Sequence, residues 1–226
     1  MVDLKVKIQP SSTRDAVYLT LKEQILTMEL APGTSISEKE ISLLLEVSRT
    51  PVRESFQRLA QEGLLEIYPQ RGTTVSLIDP ELVEEARFMR EQLERAVIRL
   101  ASQSFPDEFL SKLHMNVSLQ KVSMEHQDYK QMFELDEAFH RTIFEGCKKS
   151  NTWAVIQQIN AHLNRSRMLR LSADHHWDHL YLQHQEMVQA IQAKDADRAE
   201  QLMKEHLHLT IDDLVLLKEK YPTYFK

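Results

Sequence analysis

Asp136 and His140 lie four residues apart in the stretch Leu135-Asp136-Glu137-Ala138-Phe139-His140. On a helix that spacing stacks a carboxylate and an imidazole on one face, an arrangement suited to a divalent metal. The stretch also contains Glu137-x-x-His140, and Glu205-x-x-His208 repeats the form downstream. Paired Glu-x-x-His motifs build di-iron carboxylate bundles, so these residues pose a choice between redox or hydrolytic chemistry and metal binding alone.

Helical faces separate the possibilities. Met132, Asp136, Phe139, His140 and Ile143 form one stripe, so Asp136 and His140 interrupt an apolar face and Glu137 does not. His184 interrupts a stripe of Leu180, Met187, Val188 and Ile191, and His206 one of Ala199, Leu202, Met203 and Leu209. Each group is costly to bury without a partner. His184 and His206 are 22 residues apart, with Asp195 midway in a helix break. Two antiparallel helices hinged there carry both imidazoles at equal height, ~16 Å from the turn at 1.5 Å per residue. With Asp136 and His140 from a third helix, a cage of three histidines and one carboxylate can form. The cage reading is preferred over four separately hydrogen-bonded core residues because two members match across a hinge. Its donors suit zinc, nickel or manganese; the residues do not choose, and zinc is the expectation carried forward.

Catalysis finds less support, and no catalytic residue is expected. Glu205 and His208 align with Gln201 and Asp212 on a polar face, which removes the second di-iron pair. No HExxH occurs, and Cys147, beside Lys148 and Lys149, has no orienting partner. A helical-bundle metalloenzyme acting on a small organic acid, di-iron or hydrolytic, is the alternative class. Asp174–His179 reads as a solvated connection, His208 faces away from His206, and His114 and His126 lack matched partners. His162 is a secondary pocket candidate. Arg90 is the charge in a stripe of Ala86, Leu93, Val97 and Leu100. It suits either an organic anion or an internal salt bridge to Asp136 or another carboxylate.

These residues need a scaffold, and composition limits which. The chain has 226 residues, 42% hydrophobic and 27% charged, enough for one large domain or two small ones. No apolar run approaches ~20 residues, so no membrane span is expected. The first residues lack a signal-like apolar core, and the single cysteine fits a reducing cytoplasm. Only four glycines occur (Gly33, Gly63, Gly72, Gly146), too few for a P-loop or GxGxxG fingerprint.

The pattern predicts a mainly α fold. After a flexible tail over 1–10 comes a helix over 13–28, with Ala16, Leu19, Ile25 and Leu26 among its apolar positions. A second helix opens on the Ser37–Glu40 capping box and runs through Glu46. A third is capped by Ser48 and ends at Gly63. Two short strands flank a Pro-Gln-Arg-Gly turn. From Asp79-Pro80 onward helical periodicity dominates, giving roughly six helices in an antiparallel bundle. The domains expected are 11–78, a winged helix-turn-helix, and 79–226, a bundle.

Arg49 and Arg53 share a face of the third helix, while Val52, Phe56 and Leu59 take another. Such arginines can read guanine edges or phosphates in a major groove, with Ser48 and Thr50 placed for phosphates. Arg71-Gly72 at the hairpin tip would reach an adjacent groove. An ordinary solvated face is the competing reading, since residues 1–78 carry nine basic against ten acidic side chains, a net of −1.

The run "LAPGTSISEKEISLLLEVSRTPVRESFQRLAQEGLLEIYPQRGTTVS" resembles the DNA-binding domain of the GntR family of bacterial transcription regulators. The resemblance implies that Arg49 and Arg53 read the operator, that Ser48 and Thr50 bind backbone, and that Gly72 belongs to the wing. Lys39 stands where relatives carry a DNA-contacting arginine, and Glu46 where they carry the turn glycine. "LDEAFHRTIFEGCKKSN" with "HQEMVQAIQAKDADRAEQLMKEHL" resembles the FCD ligand-binding domain of the same regulators, in its six-helix, VanR-like form. By that resemblance Asp136, His140, His184 and His206 are metal ligands and Arg90 helps bind a small carboxylate effector. Gln183 replaces a common glutamate, and Asn151 is a helix cap. The implied protein is a cytoplasmic homodimer that binds double-stranded, pseudo-palindromic operator DNA, with no membrane partner.

Overall fold

The structure, a computed structural model, describes residues 12–173 and 177–226. The tail over 1–10 and the Asp174–His176 part of the histidine-rich connection lie outside these residues, as does the side chain of Asp212. The chain divides into two compact units, Met1–Ser76 and Leu77–Lys226.

In the first unit, α1 (Thr13–Leu26) starts where the Ser12 hydroxyl accepts the Asp15 amide. Its core face is Val17, Tyr18, Leu21 and Ile25, and Leu19 is half-exposed. Helix α2 (Glu38–Leu44) opens on Ser37, whose hydroxyl accepts the Glu40 amide and donates to the Glu40 carboxylate. It ends two residues before Glu46, which turns the chain with φ 54°. A side chain in that left-handed region costs roughly 1 kcal/mol relative to glycine. Helix α3 (Arg49–Gln61) buries Val52, Phe56 and Leu59 and stops at Gly63, whose φ of 72° suits a residue without Cβ. The hairpin pairs β2 (Leu65–Tyr68) with β3 (Gly72–Val75). A two-residue strand, β1 (Ser35–Ile36), lies on the other side of β3. Two residues are too few to show alternation, which is why β1 escapes a sequence reading.

The second unit is helical: α4 (Pro80–Gln103), α5 (Asp107–Glu125), α6 (Tyr129–Gly146), α7 (Ser150–Ile159), α8 (Ala161–Ala173), α9 (Asp178–Gln192) and α10 (Ala196–Lys220), then a short turn, Pro222–Tyr224. Seven helices are therefore described where six were expected. The joints at Gln127 and Asn160 contain neither glycine nor proline; Gln127 makes its turn with φ 55° and Asp128 caps α6. Asn151 falls inside the first turn of α7, after an N-cap position held by Lys149, so the cap expected of it is not formed. The hinge between α9 and α10 is at Lys194, and Asp195 caps α10. Helix α4 packs along α10, α5 on α6, and α9 against α5 and α10. The core between them includes Ile98, Leu113, Phe139, Phe144, Met187 and Leu202.

Candidate metal centre and reading surface

Asp136 and His140 from α6, His184 from α9 and His206 from α10 meet in the interior of the second unit. Each offers one ligand atom, and the four atoms lie within 4.8 Å of one another. The two histidines flanking the α9–α10 hinge end with ring centroids 4.7 Å apart, as equal height on antiparallel helices requires. All four side chains are buried.

The outer nitrogens decide what the inner ones can do. A backbone carbonyl starts one chain of bonds: Asn116 donates to Leu135 C=O (2.9 Å), so its own oxygen accepts from Gln120 Nε2 (2.7 Å). Gln120 Oε1 is thereby turned to His184 Nδ1 (2.9 Å), which must carry the proton. Gln183 Oε1 takes His206 Nδ1 (3.0 Å), and the Glu94 carboxylate lies in close contact with His140 Nδ1, which favours the proton on that nitrogen. Three Nε2 lone pairs are left facing inward. His140 Nε2 and His206 Nε2 are 3.3 Å apart, and His184 Nε2 is buried with no hydrogen bond. Asp136 carboxylate oxygens stand 3.7–3.9 Å from the three nitrogens. Ligands at ~2.0–2.2 Å from a shared ion in tetrahedral geometry are roughly 3.3–3.6 Å apart, so a small inward contraction fits a divalent cation. Burial lowers His184 to about 3, and burial with the neighbouring His184 and His140 holds His206 well below its ordinary value. Both are neutral, the ligand form, at neutral pH. Burial opposes charge on Asp136, yet the Arg167 guanidinium holds its carboxyl well below the usual range.

A second layer of charge surrounds this centre. Arg90 does not stand alone on its stripe, because Glu94, one turn on, is equally buried and accepts its Nε at 2.5 Å. Burial works against the Glu94 charge, but Arg90 and His140 outweigh it and bring the carboxyl to about 2. Arg90 Nη1 is 3.8 Å from Glu137, while Nη2 is buried without a hydrogen bond. Arg167 of α8 pairs with Asp136 and, at 2.5 Å, with Glu137. Arg170 pairs with Asp213 of α10 at 2.6 Å. Arg90, Asp136, Arg167, Arg170 and Asp213 edge a cavity of about 50 Å³ that also touches Arg87, Met132, Leu180 and His206. Glu94 was legible as the i+4 partner of Arg90. Gln120, Arg167 and Arg170 show no spacing that points to the centre, because they arrive from other helices.

Other candidates lie elsewhere. His114, His126, His208 and Glu205 are exposed, so the second Glu-x-x-His pair does not face the interior. His162 does not line the cavity; its Nδ1 accepts the Asp79 amide at 3.0 Å. Cys147 is half-buried, and burial pushes its thiol to about 11.

In the first unit Lys39, Ser48, Arg49, Thr50, Arg53, Arg71 and Gly72 are all exposed. Ser48 occupies the N-cap position of α3 without a side-chain cap bond, leaving its hydroxyl open. Arg53 forms a forked pair with Glu38 (3.0–3.2 Å), so a phosphate or base edge would compete with that carboxylate. Arg71 and Gly72 lie at the hairpin tip, after Gln70 with φ 64°.

Comparisons with known proteins converge. Residues 13–75 match the family model described as bacterial regulatory proteins, gntR family, and residues 85–209 match the FCD domain. An HTH-type transcriptional regulator in an unstable DNA locus of Streptomyces ambofaciens is 34% identical over 95% of this chain and 90% of its own length. The Escherichia coli HTH-type transcriptional repressor RspR is 32% identical over 92% of both chains. Among solved structures, E. coli McbR/YncC shares the fold with a TM-score of 0.76 at 22% identity, covering 93% of this chain and 99% of that one. Among the described residues no helix is long and apolar enough to cross a membrane. Two family matches that together span most of the chain, and relatives above 30% identity over nearly its whole length, place it in the GntR family of transcriptional regulators, with an FCD domain following the helix-turn-helix.

Proposed function

We propose that the protein is a metal-containing, small-carboxylate-responsive bacterial regulator that binds a pseudo-palindromic operator as a cytoplasmic homodimer. Residues 11–78 read DNA, and residues 79–226 sense and dimerise. The observation that carries the sensing half is the convergence of three imidazole lone pairs and Asp136 beside a cavity edged by arginines. Asp136, His140, His184 and His206 hold the ion, which supplies a positive centre for an anion. Arg90, with a buried donor lacking a partner, and Arg167 orient a carboxylate. A cavity of about 50 Å³ suits a short acid, since one water needs ~10–15 Å³ by the same measure. The exposed Arg49, Arg53, Ser48, Thr50 and Lys39 face the operator, with Arg71 and Gly72 as the wing contact. Two named relatives, RspR and the gluconate operon repressor of Bacillus licheniformis, support repression as the mode. The acid acts by preferring one arrangement of the dimer over another.

Metal analysis of the natively purified protein tests the sensing half. We expect one ion per chain, lost in the double variant His184→Ala, His206→Ala. Full occupancy in that variant would remove the cage. For the reading half, a duplex enriched from a random pool should bind Arg49→Ala more weakly by roughly 1–3 kcal/mol if the arginine reads a base. Unchanged affinity would remove Arg49 from the reading surface.

A further inference from the structure

Helices α8 and α10 both line the cavity, and Ile78–Asp79 is bonded to α8 and to the segment that follows α10. Ile78 is fully buried; its amide donates to Tyr224 C=O (2.8 Å), and its carbonyl accepts the Lys226 amide (3.0 Å). A parallel bridge thus seats Ile78 against Phe225, in the segment that follows α10. One residue on, the Asp79 amide donates to His162 Nδ1 on α8 (3.0 Å), and the Asp79 carboxylate accepts Lys226 Nζ (3.2 Å). Helix capping does not account for these bonds, because the Asp79 carboxylate already caps α4 through the Glu81 amide.

Both routes lead back to the candidate ligands. Arg167, which holds Asp136, is five residues from His162, ~7.5 Å along α8. His206 lies on α10, fourteen residues (~21 Å) before its last residue, Lys220. The two helices are tied to each other by Arg170–Asp213 at 2.6 Å and by Lys220 Nζ to Ala173 C=O at 3.2 Å. A shift of either helix relative to α4 must strain bonds at Ile78–Asp79. Ser76, two residues earlier, is the last residue of the first unit.

We propose that Ile78–Asp79 is a clamp through which occupancy of the metal cage is transmitted to the chain leading to the reading head, with His162 as its positioning residue on α8 and the Tyr224–Lys226 segment as its counterpart after α10. This rests on the cage reading above. Helix α8 carries the His162 bond and, through Arg167, the pairing with Asp136, while α10 carries His206 and leads into the Tyr224–Lys226 segment; together they form the contiguous network such coupling needs.

The test is amide exchange on the full chain, read by mass spectrometry with residue-level fragmentation, in chelator-stripped and Zn²⁺-loaded protein. Zn²⁺ should change exchange at Ile78, Asp79 and Lys226 by at least about fivefold, the lower range of ordinary coupling, while Leu59 in the first core stays unchanged. In His162→Phe, Zn²⁺ should still bind stoichiometrically, but the Asp79 response should disappear; Phe225→Ala should remove the Ile78 response in the same way. Stoichiometric Zn²⁺ with unchanged exchange at all three amides in the unsubstituted chain overturns the clamp and leaves the cage standing. Failure to bind Zn²⁺ overturns the cage, and the clamp with it.

Discussion

Glu94→Gln isolates the logic of the candidate metal centre, because it keeps the shape of the side chain and deletes its charge. Glu94 serves two donors, Arg90 Nε at 2.5 Å and His140 Nδ1. An amide has one oxygen for them, and its NH₂ group must face the donor it fails to accept. If His140 loses its acceptor, the imidazole is free to rotate or change tautomer, and its Nε2 no longer points inward by necessity. Removing an outer partner of a ligating histidine typically weakens metal binding 10–100-fold, about 1.4–2.8 kcal/mol. The other consequence is for stability. Arg90 is fully buried, and Glu137 at 3.8 Å is a poorer partner than Glu94. Leaving a buried charge short of its partner costs about 3 kcal/mol, which lowers the midpoint of thermal unfolding by roughly 6–12 °C in a domain of this size. Competition titration of Zn²⁺ against a chromophoric chelator measures the first effect, and thermal unfolding of the stripped protein the second. A folded Glu94→Gln variant with unchanged Zn²⁺ affinity would refute the claim that this carboxylate sets the His140 tautomer.

Two other perturbations follow from single contacts. A Cβ on Gly146 would lie 2.3 Å from Phe105 Cε2, so Gly146→Ala should destabilise the second unit by about 1–3 kcal/mol in denaturant unfolding, and Phe105→Leu should recover part of the loss. Equal stability of Gly146→Ala and the parent would show that the ring moves aside freely. Because burial raises the Cys147 thiol to about 11, its thiolate is scarce at pH 8, and alkylation there should be on the order of a hundredfold slower than for an ordinary cysteine. The alkylation rate should climb with pH until about 11, and a plateau near pH 9 would contradict the burial argument.

Local signals account for much of the first unit. Ser37 and Glu40 sit three residues apart because a first-turn amide needs an acceptor, and that requirement is visible without a fold. Gly63 is read in the same way, from the backbone conformation only it adopts cheaply. Glu46 occupies a left-handed turn although its side chain is a poor choice there, so only comparison with the family's usual glycine exposed the strain. The joints at Gln127 and Asn160 carried no such signal, and the bundle gained a helix.

For the candidate centre, periodicity was enough to put Asp136, His140, His184 and His206 on inward faces, since a helix repeats every 3.6 residues whatever surrounds it. Composition and spacing likewise removed nucleotide loops and paired Glu-x-x-His chemistry. What sequence could not supply was the identity of neighbours from different helices. Gln120, Arg167 and Arg170 acquire their roles only when α5, α8 and α10 pack around α6, and His162 meets Asp79 across more than eighty residues of chain. One-dimensional periodicity states which way a side chain points. Only the packing of helices decides which group receives it, and in this protein that decision sets the imidazole tautomers, the buried charge pairs and the bonds at Ile78–Asp79.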